Sequence, residues 1–316
     1  ALDEVKTLET RLQLKPGELL AKLSASRKNS KGNEVKSDFL WVKRHISPAD
    51  AKSLLALKIP GVYAQTEYRR YYPAGEVMAH IVGYTGIDGQ GQEGFELTRE
   101  KMLAGKPGSR TVIRDRRGYI VEDVSTIVPP QDGETLQLSI DRRIQYLAYR
   151  ELKNAVDNAG AVGGAIVVLD ARTGEVLALA NAPSYNPNSR ARIDPAHKRN
   201  RALTDLYEPG STMKAITTAM ALNAGKVTPQ TVIQTGGGTM VIGPNRVRDD
   251  HGVGAATIEQ IMQKSSNVGV TKMSLMMDRE DVWQFYKDVG FGEKPHTGFP
   301  GEAAGQVRPW KNWRPF

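Results

Sequence analysis

The sequence predicts an α+β protein of two folded units, the second of them built as layered α/β/α. Three observations carry that prediction. The 316 residues fit two units at roughly 100–200 residues each. The run Pro129-Pro130-Gln131-Asp132-Gly133 breaks an apolar stretch with proline, acid and glycine, which sets the expected units at 1–131 and 132–316. Beyond the break a strand, a helix, an antiparallel hairpin and further helices follow one another, the order of an α+β or layered domain.

Each element has a local reason. Leu2–Leu23 carries apolar residues at helical spacing, interrupted by Pro16-Gly17, and so reads as two short helices joined by a turn. Lys28–Lys36 is polar and contains glycine, the composition of an exposed loop. Pro48–Leu57 reads as a helix with Ser47 as N-cap and proline in its first turn. Val62–Tyr72 reads as a strand, and the glycine-rich Gly83–Gly94 as a series of tight turns. In the second unit Thr135–Ile140 is expected as a strand and Asp141–Val156 as a helix, with Ile144, Leu147, Ala148, Leu152 and Val156 on one face. Gly164–Asp170 and Glu175–Ala182 then form two strands around the hairpin turn Ala171-Arg172-Thr173-Gly174.

Composition narrows the chemistry. There is no cysteine, which removes thiolate nucleophiles, disulfides, iron–sulfur clusters and Cys-ligated zinc. No run approaches the about 18 consecutive apolar residues of a membrane span. The opening Ala1-Leu2-Asp3-Glu4-Val5 has neither an initiator Met nor a signal-peptide pattern, as expected of a piece of something longer. The 43 Lys+Arg against 35 Asp+Glu leave +8. That excess is dispersed in short clusters such as Arg69-Arg70 and Arg114–Arg117, without the interleaved aromatics that stack single-stranded bases. It argues against nucleic acid and for a solvated surface facing anionic lipid or glycan.

Nucleophile chemistry concentrates at Glu208-Pro209-Gly210-Ser211-Thr212-Met213-Lys214. Pro209 and Gly210 turn the chain, and Ala215–Asn223 continues as a helix, so Ser211 and Lys214 share one helical face. A hydroxyl needs a neighbouring base, and a lysine serves once burial lowers its pKa. Free N–H groups at the helix start also favour the negative charge of acyl transfer. The pattern is equally that of a surface helix, although it is the one S-x-x-K in the chain. A second cluster, Gln263-Lys264-Ser265-Ser266-Asn267, ends a helix opened by the capping-box pattern Thr257-Ile258-Glu259-Gln260. There Ser265 could relay a proton between Lys214 and a leaving amine and Asn267 could bind a peptide group. An ordinary Ser/Asn turn fits the same residues. The rival Ser184-Tyr185-Asn186, among prolines, reads as a structural turn.

Ser211-Thr212-Met213-Lys214 followed by Ser265-Ser266-Asn267 resembles the first two of three signature motifs of penicillin-binding proteins and serine β-lactamases. Arg69-Arg70-Tyr71-Tyr72-Pro73, Gly91-Gln92-Glu93-Gly94, Gly174-Glu175-Val176-Leu177-Ala178 and Ser184-Tyr185-Asn186-Pro187-Asn188 resemble the class B transpeptidases. Glu208–Ser211 and Gln263–Gly269 are similar to the division-specific, penicillin-binding protein 3 type. The resemblance runs from about Phe39 to Gly301 and implies a non-catalytic pedestal domain followed by a penicillin-binding transpeptidase domain. It implies Ser211 as nucleophile, Lys214 as general base, Ser265 as proton relay and Asn267 as substrate-binding residue, with no metal and no cofactor. The implied substrate is the peptidoglycan stem peptide, cross-linked during septal synthesis, with β-lactams as covalent inhibitors; an elongation-type transpeptidase, a β-lactam-hydrolysing relative and a non-catalytic division scaffold are the alternatives. The implied setting is the bacterial inner membrane, held by an N-terminal anchor, with the catalytic domain in the periplasm beside septal division proteins and a glycan-polymerising membrane partner.

The family's third motif, Lys-Thr/Ser-Gly, does not occur in the chain. Arg172-Thr173-Gly174 and His296-Thr297-Gly298 do not fit its place. The expectation is therefore a transpeptidase domain truncated before that motif and inactive as it stands. Two weaker candidates complete the reading. Glu93 and Glu96 are paired carboxylates in a glycine-rich setting, expected as a structural turn rather than a hydrolase dyad. Asp249-Asp250-His251 is a poor metal set, because adjacent ligands rarely share one ion. Trp283, Phe285 and Tyr286 are expected as helix core.

Overall fold

The computed structural model describes residues 2–28, 34–36, 39–114, 120–189 and 192–313. The chain forms two compact units, Ala1–Tyr71 and Tyr72–Phe316. The composition break lies inside the second, where Lys106 and Gln131 exchange backbone hydrogen bonds of 2.8 and 2.9 Å.

In the first unit helices Leu2–Arg11 and Glu18–Ser24 flank the expected turn at Pro16-Gly17. The buried Glu9 carboxylate accepts the amides of Gly17 (3.0 Å) and Leu19 (2.8 Å), satisfying N–H groups that a helix start leaves free. Helix Pro48–Leu55 begins on Ser47, whose side chain accepts from the Asp50 amide. Leu8, Leu12, Leu19 and Leu54 make its core. Two expectations are corrected here. Ser26–Lys28 and Glu34–Lys36 pair as antiparallel strands, so the flanks of the expected loop are ladder, and 29–33 lie outside the described residues. Val62–Tyr72 is irregular, because it has no ladder partner among the described residues. β-propensity gives an extended chain; a strand needs a neighbour.

In the second unit the long helix Arg142–Ala159 starts at Asp141, whose Oδ1 accepts from Arg143 and Ile144, and stops at Gly160 with φ 59°. Its Ala148 and Leu152 pack on Ala178, Ala180 and Ala182 of an antiparallel hairpin, Gly164–Leu169 with Val176–Ala182. Alanines on the strand let the helix approach closely. Gln145, 1% exposed, stitches the layers: its Nε2 donates to the carbonyls of Val77 (2.8 Å) and Leu179 (3.0 Å), and its Oε1 accepts the Leu179 amide (2.7 Å). Thr135–Ile140, expected as a strand, forms no ladder among the described residues. It meets the hairpin through single bonds, Ser139 Oγ to the Val176 carbonyl and the Asp141 amide to the Leu177 carbonyl.

The second core of this unit gathers Met220, Ile233, Ile258, Ile261, Met273 and Val282. These come from helices Met213–Asn223, Ile258–Gln263, Asn267–Ser274 and Arg279–Asp288 and from strand Val232–Gln234. Phe285 and Tyr286 pack against it as expected, with Trp283 partly buried on the same helix. Gly269 is required here: a Cβ would come within 2.7 Å of the Ile261 side chain, so glycine lets the two short helices cross in contact. In the turn region Gly83 is equally constrained, with φ 80° and a Cβ position only 1.8 Å from the Glu93 carbonyl oxygen. No helix among the described residues is long and apolar enough to cross a membrane.

Candidate active site

Ser211 sits in a 3-10 turn, Gly210–Thr212, that feeds directly into helix Met213–Asn223. Gly210 makes that entry possible with φ 58°, a backbone state that a Cβ disfavours. Ser211 is exposed, and its hydroxyl makes no hydrogen bond among the described residues. Lys214 lies one turn on, and its Nζ donates to the Oγ of Ser265 (2.9 Å) and to that residue's carbonyl oxygen (2.5 Å). The two motifs found 51 positions apart thus meet through this pair. Burial lowers the Lys214 pKa, while Asp249 and Asp250 pull it back up. An amine lowered in this way is better suited to accept a proton.

The second motif is a backbone device. Helix Ile258–Gln263 opens with the full capping box of Thr257 and Gln260. It closes with the Ser266 amide bonded to the Ile261 carbonyl (2.9 Å) and the Ser265 amide to the Met262 carbonyl (3.1 Å), the paired bonds of a Schellman ending. Ser265 occupies the left-handed position of that ending, φ 53°, where glycine is the usual residue. The next residue, Ser266, is buried and caps the following helix by accepting the Gly269 amide at 2.9 Å. The sequence reading placed the end of one helix here and missed the start of a second, although a serine three residues before Gly269 carries that signal. Asn267 opens this second helix, and its Nδ2 donates to the Arg248 carbonyl at 2.6 Å.

Several of the weaker candidates are tied into the fold by hydrogen bonds. Asp249 accepts from the Ser266 hydroxyl through Oδ2 (2.7 Å) and from the Val268 amide through Oδ1 (2.9 Å). No group of three metal-ligating side chains occurs among the described residues. Glu96 is buried and faces the Tyr72 hydroxyl at 3.4 Å. Burial raises the Glu93 pKa, opposed by Lys198. The rival Ser184–Asn188 segment is a tie: Ser184 Oγ donates to the Glu76 carbonyl and Asn188 bonds both backbone groups of Tyr72 at 2.9 Å.

Residues 2–138 match the family described as the penicillin-binding protein dimerisation domain, and residues 164–314 the penicillin binding protein transpeptidase domain. Among similar proteins, Probable peptidoglycan D,D-transpeptidase PenA of Neisseria gonorrhoeae is 46% identical over 280 residues, 88% of this chain and 48% of the relative. Peptidoglycan D,D-transpeptidase FtsI of Escherichia coli K12 is 40% identical over 311 residues, 98% of this chain and 51% of the relative. The chain thus spans about half the length of these relatives. Among solved structures, penicillin binding protein 3 of Mycobacterium tuberculosis superposes with a TM-score of 0.66 at 31% identity, covering 77% of this chain and 51% of that one. The transpeptidase domain of Burkholderia pseudomallei penicillin-binding protein 3 gives 0.51 at 46% identity, covering 58% and 51%. Two domain matches in tandem, with relatives of one kind along nearly the whole length, leave a single assignment: the chain belongs to the penicillin-binding proteins of the penicillin-binding protein 3 type, joining that family's dimerisation domain to its transpeptidase domain.

Proposed function

We propose that this chain supplies a pedestal domain, 1–131, and the nucleophile side of a transpeptidase domain, 132–316, to a serine-type peptidoglycan D,D-transpeptidase. The observation that carries the reading is the bond from Lys214 Nζ to Ser265 Oγ, which makes one site of two separated motifs. In this reaction the Ser211 oxygen attacks the carbonyl of the penultimate D-alanine of a stem peptide and its proton passes to Lys214. The bond from that carbonyl carbon to the terminal D-alanine nitrogen then breaks. The leaving nitrogen takes the proton, relayed from Lys214 through Ser265. An amine of a neighbouring strand attacks the acyl-enzyme, the carbon–Ser211 bond breaks, and the amine's proton returns to the serine oxygen. Asn267 contributes its carbonyl oxygen to the substrate's peptide N–H, its amide group being engaged with Arg248. A β-lactam acylates the same serine.

Relatives named peptidoglycan D,D-transpeptidase support a reading in cell-wall cross-linking. We infer septal synthesis at the inner membrane, with the domain on the periplasmic side and septal division proteins, including a glycan-polymerising membrane protein, as partners. The test is covalent labelling of the full-length protein by a fluorescent penicillin. Ser211→Ala should abolish the label and leave the melting temperature in place; a labelled Ala variant would refute Ser211 as nucleophile.

A further inference from the structure

Ser266 and Asn267 of the second motif, with the next residue Val268, are gripped from one side by two consecutive residues of another segment. Strand Asn245–Arg248 ends a hairpin with Thr239–Ile242 and delivers Arg248 and Asp249 to the start of helix Asn267–Ser274. The Arg248 carbonyl takes the Asn267 side-chain amide (2.6 Å), while the two Asp249 oxygens take the Ser266 hydroxyl (2.7 Å) and the Val268 amide (2.9 Å). Ser266, 1% exposed, passes the link on by accepting the Gly269 amide. The helix pair has a direct contact of its own, Gly269 against the Ile261 side chain. What the grip restrains is the short link between the helices, where Ser265 stands in a left-handed conformation that a Cβ disfavours. A strained link persists only where its surroundings over-determine it.

We infer that Asp249 is a positioning residue for acylation, holding the Ser265–Asn267 turn so that Ser265 Oγ meets Lys214. The inference rests on the serine reading proposed above and adds a residue to it. Asp249 also acts through its charge: with Asp250 it is one of the two charged groups that raise the Lys214 pKa against the lowering effect of burial. Neutralising Asp249 therefore has two consequences of different kind. The turn loosens, which slows acylation at every pH. The amine loses a proton more readily, which moves the rise of acylation rate with pH to lower pH.

The experiment is the second-order rate of acylation by a fluorescent penicillin, measured across pH on the full-length protein and on Asp249→Asn, Ser266→Ala and the double variant, with melting temperatures alongside. Each single variant should lose about tenfold or more, the scale on which small misplacements act. Because both remove the same link, the double variant should be no slower than the slower single. The Asp249→Asn profile should shift to lower pH and that of Ser266→Ala should not. Rates within about twofold of the parent, losses that multiply in the double variant, or an unshifted Asp249→Asn profile would overturn the inference. If Asp249→Asn does not fold, Ser266→Ala decides alone, by its rate. Label that survives Ser211→Ala refutes the serine reading, and this inference with it; loss of label in Ser211→Ala with near-parental Asp249 and Ser266 variants refutes this inference alone.

Discussion

Lys214 Nζ donates to both the hydroxyl (2.9 Å) and the carbonyl (2.5 Å) of Ser265, a residue from another helix terminus. The double contact fixes the amine at one point, because a carbonyl and a hydroxyl of the same residue define a direction as well as a distance. It also sets the amine's protonation. Burial favours the neutral form, and the carboxylates of Asp249 and Asp250 favour the charged one. Burial is the larger effect, so the folded pKa lies below that of a free lysine.

That direction gives the first prediction. The neutral amine is the base, so acylation by penicillin should rise with pH through the folded Lys214 pKa and level off earlier than an ordinary lysine, near 10.4, would allow. Lys214→Arg keeps the charge and cannot release it, so its acylation should fall by about a hundredfold or more at all pH values. Stopped-flow acylation of the full-length variant checks this, and a near-parental rate would reduce Lys214 to a structural part.

Ser265→Gly separates stability from activity. Glycine adopts φ 53° without penalty, so relief of strain should stabilise the fold by about 0.5–1 kcal/mol, less whatever the more flexible unfolded chain regains. The same change removes the hydroxyl that Lys214 contacts and should cut acylation by about a hundredfold. Chemical denaturation and labelling on one preparation test both halves. A variant that is both less stable and fully active would contradict them.

Gln145 makes a prediction about the scaffold. Gln145→Leu fits the volume but leaves the carbonyls of Val77 and Leu179 and the Leu179 amide without their partner. At about 1–3 kcal/mol for each unsatisfied buried group, the loss should be at least about 3 kcal/mol. Urea unfolding followed by circular dichroism reads it directly, and a change of under about 1 kcal/mol would show that the stitch is dispensable.

His80 should make stability depend on pH. It is buried, its Nε2 bonds the His197 carbonyl at 2.8 Å, and burial is the main cause that lowers its pKa. The unfolded imidazole titrates near 6.5. Between that value and the lower folded one the unfolded chain binds more protons, so stability rises with pH and is lost as pH falls from about 6.5. His80→Gln keeps an N–H donor for His197 and should flatten that part of the curve. Equal slopes of urea midpoint against pH, between pH 7.5 and 5.5, in both proteins would exclude the histidine as the cause.

Local signals were enough for much of this chain. The caps at Ser47 and Thr257 and the hairpin turn after Asp170 are decided by a few neighbouring side chains, and each formed where the residues indicate, while the helix expected over Asp141–Val156 starts one residue later on its Asp141 cap and runs on to the glycine stop at Gly160. S-x-x-K on a helix start and S-x-N at a helix end are short patterns that can be found in the sequence, and the structure brings Lys214 of the one to Ser265 of the other. What the residues could not determine is everything that needs a partner from elsewhere. Val62–Tyr72 and Thr135–Ile140 have the composition of strands and no ladder among the described residues, since pairing is a property of two segments. Asp249 stands out in sequence only as part of a poor metal set, yet its two oxygens accept from Ser266 and Val268. Only the fold brings the end of the Asn245–Arg248 strand to the start of a helix 19 residues on, and so decides that this carboxylate holds a turn.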